Sequence, residues 1–241
     1  MAGITDSPTR SIMERFGIGL TFSEMLNAKH LNQNRTSITK RLKKPSSQKG
    51  SIFAVQLVGN DQYELSEASK IARDNGANII DFNLGCPVRK VTTGYGGSAL
   101  MRDTDLVKRL LGSILNSCDI PVTLKCRLGW DENSMSAGQI IRDAAALGVS
   151  LISIHARTRC QFFKGKANWK SVSELKKQCK VPLIINGDIT DDKSAKKALK
   201  DSECDGIMIG RGLMGRPWLI DDLAKSVFHV ELDYEKKDNV I

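Results

Sequence analysis

Cys86 stands between Gly85 and Pro87, and the glycine-rich stretch Gly94-Tyr95-Gly96-Gly97 follows it closely. A neutral thiol beside a mobile loop can give a proton to a bound substrate, whereas a merely buried cysteine is an inert small hydrophobe. Lys125 interrupts the apolar run Pro121–Arg127, where an unpaired ammonium is costly. Two readings are open: the stem lies along apolar surface with the amine in solvent, or a ligand accepts its hydrogen bonds. His155 has a similar choice between a satisfied core imidazole and a donor to a ligand oxygen. Gln56 and Asn83 each donate and accept, which suits the edge of a flavin or a pyrimidine. Asn186-Gly187-Asp188 and Gly210-Arg211-Gly212 supply glycine backbone and a guanidinium with which two turns could hold a phosphate.

Other chemistries lack their spacing. No two of the six cysteines (86, 118, 126, 160, 179, 204) form a C-x-x-C pair, and the three histidines are scattered, so no metal is expected. No G-x-S-x-G supports a serine hydrolase, and no Rossmann fingerprint reads out a choice between NADPH and NADH.

These residues fall at the ends of short apolar runs. Candidate strands are Ser51–Gln56, Asn78–Asn83, Pro121–Arg127, Leu151–Ala156, Pro182–Gly187 and Gly206–Gly210, with Gly17–Phe22 as a seventh. Amphipathic stretches lie between them: Asp61–Asn75, Asp103–Ser117, Ser136–Leu147, Trp169–Gln178 and Asp191–Leu199. Ala-Ala-Ala-Leu-Gly at 144–148 reads as a helix end capped by glycine. Strand–helix alternation predicts an α/β fold of parallel βαβ units. The length suits an eight-fold βα barrel of about 250 residues better than an open sheet, with Met1-Ala2-Gly3 as the stump of the eighth strand. Barrel chemistry sits at the C-terminal ends of the strands, where the polar residues collect. A short helix beginning near Leu213 is expected to aim its N–H groups at the phosphate.

The chain carries 36 Lys+Arg against 27 Asp+Glu, a formal charge of +9, which suits a polyanionic partner. Between Leu26 and Gly50 lie Lys29, Arg35, Lys40, Arg41, Lys43, Lys44 and Lys49 without an acid. That segment is either a solvated surface or a contact for phosphate backbone. At 41% hydrophobic residues the chain has enough apolar material to fold. No run is long enough to span a membrane and no secretory leader is visible, so a cytoplasmic monomer with reduced thiols is expected. Residues 229–241 form a polar tail without core pattern.

Taken in order, the motifs resemble those of the tRNA-dihydrouridine synthases, closest to the bacterial DusB-like branch. The resemblance rests on Met1-Ala2-Gly3-Ile4-Thr5-Asp6, Ser23-Glu24-Met25, Gln56-Leu57-Val58-Gly59 and Asn83-Leu84-Gly85-Cys86-Pro87. It continues through Gly97-Ser98-Ala99-Leu100-Met101, Lys125-Cys126-Arg127-Leu128-Gly129, His155-Ala156-Arg157-Thr158, Asn186-Gly187-Asp188-Ile189, Gly210-Arg211-Gly212 and Arg216-Pro217-Trp218. It implies a TIM (β/α)8 barrel holding FMN, reduced by NADPH (or NADH). Hydride from flavin N5 then goes to C6 of a tRNA uridine, and Cys86 protonates C5. Flavin contacts are implied at Met1, Ala2, Gln56, Lys125, His155, Asn186, Gly187, Asp188, Gly210 and Arg211, and substrate contacts at Asn83 and Arg157. Family members usually begin with a strand ending in Ala-Pro and close with a helical domain that grips tRNA. The expectation is therefore an FMN-binding barrel over residues 1–228 with most of its first strand missing. Residues 229–241 would open a linker toward an absent helical domain. The alternatives are a small-molecule FMN reductase of the ene-reductase or dihydroorotate type, and a non-catalytic remnant that binds RNA or flavin.

Overall fold

A computed structural model describes residues 1–33, 40–42 and 51–232. Its strands are β1 (Leu20–Phe22), β2 (Leu26–Asn27), β3 (Ile52–Val58), β4 (Ile79–Asn83), β5 (Val122–Arg127), β6 (Leu151–His155), β7 (Leu183–Asn186) and β8 (Gly206–Met208). Every pairing is parallel, in the order β1-β3-β4-β5-β6-β7-β8, with the two-residue β2 beside β3. The helices that return the chain are α1 (Ser7–Arg15), α2 (Ala28–Asn32), α3 (Gln62–Asp74), α4 (Arg89–Thr92), α5 (Thr104–Leu115), α6 (Ala137–Leu147), α7 (Lys170–Gln178), α8 (Asp192–Ser202) and α9 (Leu219–Phe228). The alternation bears out the expected barrel of parallel βα units with its first strand partly missing, and its seven principal strands form a half-barrel. Among the described residues, β1 and β8 do not pair with each other.

Helix starts follow from local chemistry. Asp61, Asp103 and Asp191 each accept the N–H three residues on, at 2.9, 2.9 and 2.7 Å, satisfying donors that the first turn leaves free. Ser194 bonds back to the Asp191 N–H and completes a capping box. Gly148 ends α6 at φ 98°, as its position after Leu147 predicts.

Two expectations change. Met1–Gly3 is a turn rather than a strand stump: the Ile4 and Thr5 N–H groups both donate to the Met1 carbonyl, and Gly3 adopts φ 76°. No α-helix begins at Leu213. Arg211–Leu213 forms a single 3-10 turn, and Gly215 at φ 70° with Pro217 delays α9 until Leu219. At the other end of α9, Leu232 comes back against Gly17, where an added Cβ would lie 2.8 Å from the Leu232 Cβ. Leu232 thus packs on the barrel while residues 229–231 stay exposed, and the rest of the polar tail lies outside the described residues. So do Arg35, Lys43, Lys44 and Lys49 of the basic segment. Its Arg41 pairs with Glu24 at 3.4 Å.

Strand register sorts the side chains by face. Phe82, Leu124, Cys126, Ile152, Ile154, Leu183 and Ile185 are fully buried with the helices' apolar residues. The alternate positions are Asp81 and Asn83, Thr123, Lys125 and Arg127, Ser153 and His155, and Asn186; adjacent strands align Asn83 with Lys125, and Arg127 with His155 and then Asn186. The strands are therefore apolar toward the helices and polar toward the barrel interior.

Loops at the C-terminal end are tied to one another. Arg159 N–H donates to the Gly129 carbonyl and Cys160 N–H to that of Trp130, both at 2.9 Å. At Gly129 an added Cβ would lie 2.1 Å from the Ser134 carbonyl oxygen. Replacing Gly129 by Ala is expected to destabilise the chain by about 2–3 kcal/mol, since backbone must move to relieve the overlap. Urea unfolding with an unchanged midpoint would refute this.

Candidate active site

The polar face converges at the C-terminal ends of β3–β8 in two linked groups. The first surrounds Cys86. Asn83 Oδ1 accepts the N–H groups of Gly85 and Cys86, each at 2.9 Å, and shapes the turn that follows β4. Asn83 Nδ2 donates to Gln56 Oε1 at 2.8 Å, and Gln56 Nε2 donates to Asp81 Oδ2 at 2.7 Å. The Cys86 carbonyl accepts from Ser98 N–H at 3.1 Å and Ser98 Oγ at 2.8 Å. Gly97, at φ 56°, brings the glycine-rich stretch so close that an added Cβ would lie 2.8 Å from that carbonyl. The stretch is thus fastened to Cys86 at its end. Burial pushes the half-buried Cys86 thiol above its ordinary pKa, against the opposing Val88 hydrogen bond and Arg127 charge. The thiol is therefore neutral at physiological pH, the form that can give a proton.

The second group centres on Asn186. Its Nδ2 donates to the Met208 carbonyl at 2.8 Å, which turns Oδ1 toward Lys125 Nζ at 3.1 Å and His155 Nδ1 at 2.9 Å. His155 Nε2 faces Arg157 Nη1 at 3.2 Å. A guanidinium only donates, so Nε2 accepts and Nδ1 carries the proton. Burial, reinforced by Lys125, Arg127 and Arg157, takes His155 down to about 2, so it stays neutral. Burial also lowers Lys125 to about 8, opposed by the charge of Asp81.

The ends of β7 and β8 meet closely. Gly187 has φ 116°, and a Cβ there would lie 3.1 Å from Ala167 Cβ. A Cβ on Gly212 would lie 2.4 Å from the Ile189 carbonyl oxygen. Met1 reaches this end too, its Sδ 3.3 Å from where a Gly210 Cβ would sit, while Ala2 is exposed on the opening turn. Asp188 binds Arg157, accepts the Ala167 N–H at 2.8 Å and lies 3.7 Å from Arg211. Burial alone would raise its pKa. The Arg157 and Ala167 hydrogen bonds, with the charges of Arg157 and Arg211, instead hold it below the usual carboxylate value. Arg211 is 57% exposed and lies 5.1 Å from the Phe163 ring centroid.

Sequence reasoning assigned no role to three of the residues brought together here. Asp81 is buried between Gln56 and Thr123. Arg127 is buried and donates to the carbonyls of Gly85 (2.7 Å), Thr158 and Phe162 (both 2.9 Å), joining the Cys86 turn to the loop after β6. Phe163 is half-exposed beside His155, Arg127 and Arg211. A charged residue inside an apolar strand was the available signal for Asp81 and Arg127, as it was for Lys125. Arg157, implied by the resemblance as a substrate contact, has only 1% of its side chain exposed. It donates to the carbonyls of Lys164 and Gly165 as well as to Asp188, so it holds a loop.

The protein-family description "Dihydrouridine synthase" matches residues 1–239. A protein from Rhizobium leguminosarum bv. phaseoli named "Probable tRNA-dihydrouridine synthase" is 46% identical over 224 residues, 93% of this chain and 70% of that protein. One of the same name from Rhodobacter capsulatus is 44% identical over 228 residues, 95% and 70% of the two chains. "tRNA-dihydrouridine synthase B" of Pasteurella multocida is 40% identical over 245 residues, 100% of this chain and 73% of that protein. Among solved structures, histamine dehydrogenase from Rhizobium sp. 4-9 superposes with a TM-score of 0.70 at 14% identity. That match covers 93% of this chain but only 44% of the other, and it bears on the fold alone. With a match spanning almost the whole sequence and relatives at these identities, the chain belongs to the dihydrouridine synthase family.

Proposed function

We propose that residues 1–228 are the catalytic barrel of a tRNA-dihydrouridine synthase, which reduces the 5,6 double bond of a uracil in tRNA using FMN and NADPH. The observation that carries this is the placement, on neighbouring strand ends, of a neutral Cys86 thiol and the Lys125–Asn186–His155 cluster. The residues present fit FMN. Backbone without Cβ at Gly187 and Gly210 leaves room that a side chain would fill, and Arg211 is exposed beside them for a phosphate. Lys125 forms no salt bridge among the described residues and its enclosed amine is free to meet an acceptor on the isoalloxazine. Asp188 serves by holding Arg211, since its own carboxylate would repel a phosphate.

FMN, when bound and reduced by NADPH, supplies the hydride for C6. Cys86 gives its Sγ proton to C5 from the other face, and solvent returns a proton to the thiolate. Asn83 and Gln56 keep the Cys86 turn in place. Because proton and hydride arrive on opposite faces of one ring, the uracil must leave its stack and enter the barrel mouth. Charge at that end suits RNA. The loops after β4, β6 and β8 carry Arg89, Lys90, Arg102, Arg159, Lys164, Lys166, Arg211 and Arg216 against the single acid Asp103, and Arg157 is buried among them. The other acids there lie in the loops after β3, β5 and β7, and among the described residues the loops leading into β5, β7 and β8 at the opposite end carry Asp119, Glu203 and Asp205 against Lys180.

The test is the chain supplied with FMN, NADPH and an unmodified tRNA transcript, with dihydrouridine read by mass spectrometry of nuclease digests. Dihydrouridine in the tRNA, with free uridine untouched, is expected. Turnover of free uridine or of a small enone without change in the tRNA would overturn the reading in favour of a small-molecule reductase.

A further inference from the structure

Asp81, Gln56 and Asn83 form a chain of hydrogen bonds that has a direction. Asp81 is 1% exposed on β4, abreast of Gln56 on β3 and Thr123 on β5. Thr123 Oγ1 donates to Asp81 Oδ1 at 2.7 Å, and Gln56 Nε2 donates to Asp81 Oδ2 at 2.7 Å. A carboxylate only accepts, so Gln56 must turn its amine to Asp81 and its carbonyl to Asn83. Gln56 Oε1 then takes the Asn83 amine at 2.8 Å. Asn83 is left with its carbonyl facing the Gly85 and Cys86 N–H groups at 2.9 Å. If either amide were flipped, two donors or two acceptors would face each other, at the cost of buried polar groups left unmatched.

We propose that Asp81 is a positioning residue whose acceptor-only carboxylate sets the orientation of Gln56 and Asn83 and so fixes where the Cys86 turn holds its thiol. Asp81 reaches that turn through two intervening amides and acts only through them. The inference rests on the reading of Cys86 as proton donor for its functional consequence, but not for its geometric one. Thr123 has a second part in it. A neutral amide at position 81 could keep the same direction only if the Thr123 hydroxyl reversed to accept from it.

Two near-isosteric substitutions and their combination test this: Asp81→Asn, Thr123→Val and the double variant. Two rates are read in the FMN-loaded chain. One is alkylation of Cys86 by iodoacetamide, followed by mass spectrometry of its peptide; the other is dihydrouridine formation in tRNA. Each single variant is expected to stay within about threefold of the parent, because one orienting group remains. The double variant has none, and its dihydrouridine rate should fall about tenfold or more below the product of the single effects. Its Cys86 alkylation rate should shift by about threefold or more. Single effects that simply multiply, with alkylation unchanged, would overturn the proposal. So would an Asp81→Asn variant as impaired as the double, since charge rather than direction would then be the cause. If the double variant unfolds, Asp81→Asn is compared with Asp81→Leu, and equal Cys86 alkylation in the two overturns the proposal. Should the parent form no dihydrouridine, the functional reading fails while the alkylation rates still decide the geometric one.

Discussion

Replacing Cys86 by Ala is expected to slow dihydrouridine formation by about 10²–10⁴-fold, the range for loss of a positioned acid. FMN binding should survive, since the groups fitted to it lie on β5–β8 and their loops, while Cys86 follows β4. The loss should appear at the transfer step. Single-turnover oxidation of the reduced flavin by tRNA isolates that step from reduction by NADPH. Burial raises the Cys86 pKa, so the parent keeps its acid form through neutral pH and somewhat above. Serine cannot match it, because its hydroxyl is a far weaker acid, and Cys86→Ser should resemble Cys86→Ala. A Cys86→Ala variant with flavin oxidation within threefold of the parent would remove the thiol from the mechanism.

Replacing Lys125 by Met should cost about 10²–10³-fold, as for the loss of one preorganised donor to developing charge. Its pH dependence is the sharper signature. Lys125 is charged below about 8 and neutral above, so the parent's rate should fall as pH rises through about 8. The methionine variant should lack that limb. His155, held at about 2, contributes no limb between pH 5 and 8. Stability moves the opposite way. The folded pKa of Lys125 is depressed from 10.5 to about 8. Between those values the unfolded chain binds the proton that the folded chain has released, so stability rises with pH across that window. Lys125→Met removes this rise and spares the chain an enclosed charge below about 8. Urea midpoints at pH 7 and pH 9.5 check it. A methionine variant whose midpoint shifts with pH as the parent's does would contradict this assignment.

Much of the frame was legible because its signals are local. Six strands end within two residues of their expected limits, since each is an apolar, β-branched run bounded by turn residues. α8 overshoots by three residues: Lys200, Asp201 and the buried Ser202 extend it with polar side chains that hydrophobic periodicity does not mark. Met1–Gly3 misled because three small or apolar residues carry no direction of their own, and Gly3 permits the turn. Among the site residues, Lys125 announced itself by charge in an apolar run, yet Asp81 in the same situation did not. Its partners, Gln56 and Thr123, lie 25 and 42 residues away and become neighbours only through sheet register. The loop-holding contacts of Arg157 were illegible for a different reason. Two of its four acceptors are backbone carbonyls, which leave no trace in residue type.

The division of each strand between an apolar face and a polar one makes the chemistry depend on parity. Lys125 and Arg127 serve the barrel interior, while Leu124 and Cys126, which alternate with them, are sealed against helices. Chemistry and cohesion are thus interleaved like two texts written in alternate letters of one line. A deletion of one residue in β5 would erase neither text but exchange them, thrusting charge among the helices and hydrocarbon into the mouth. Insertions in these strands are therefore tolerable only in pairs, whereas the loops between them can lengthen one residue at a time.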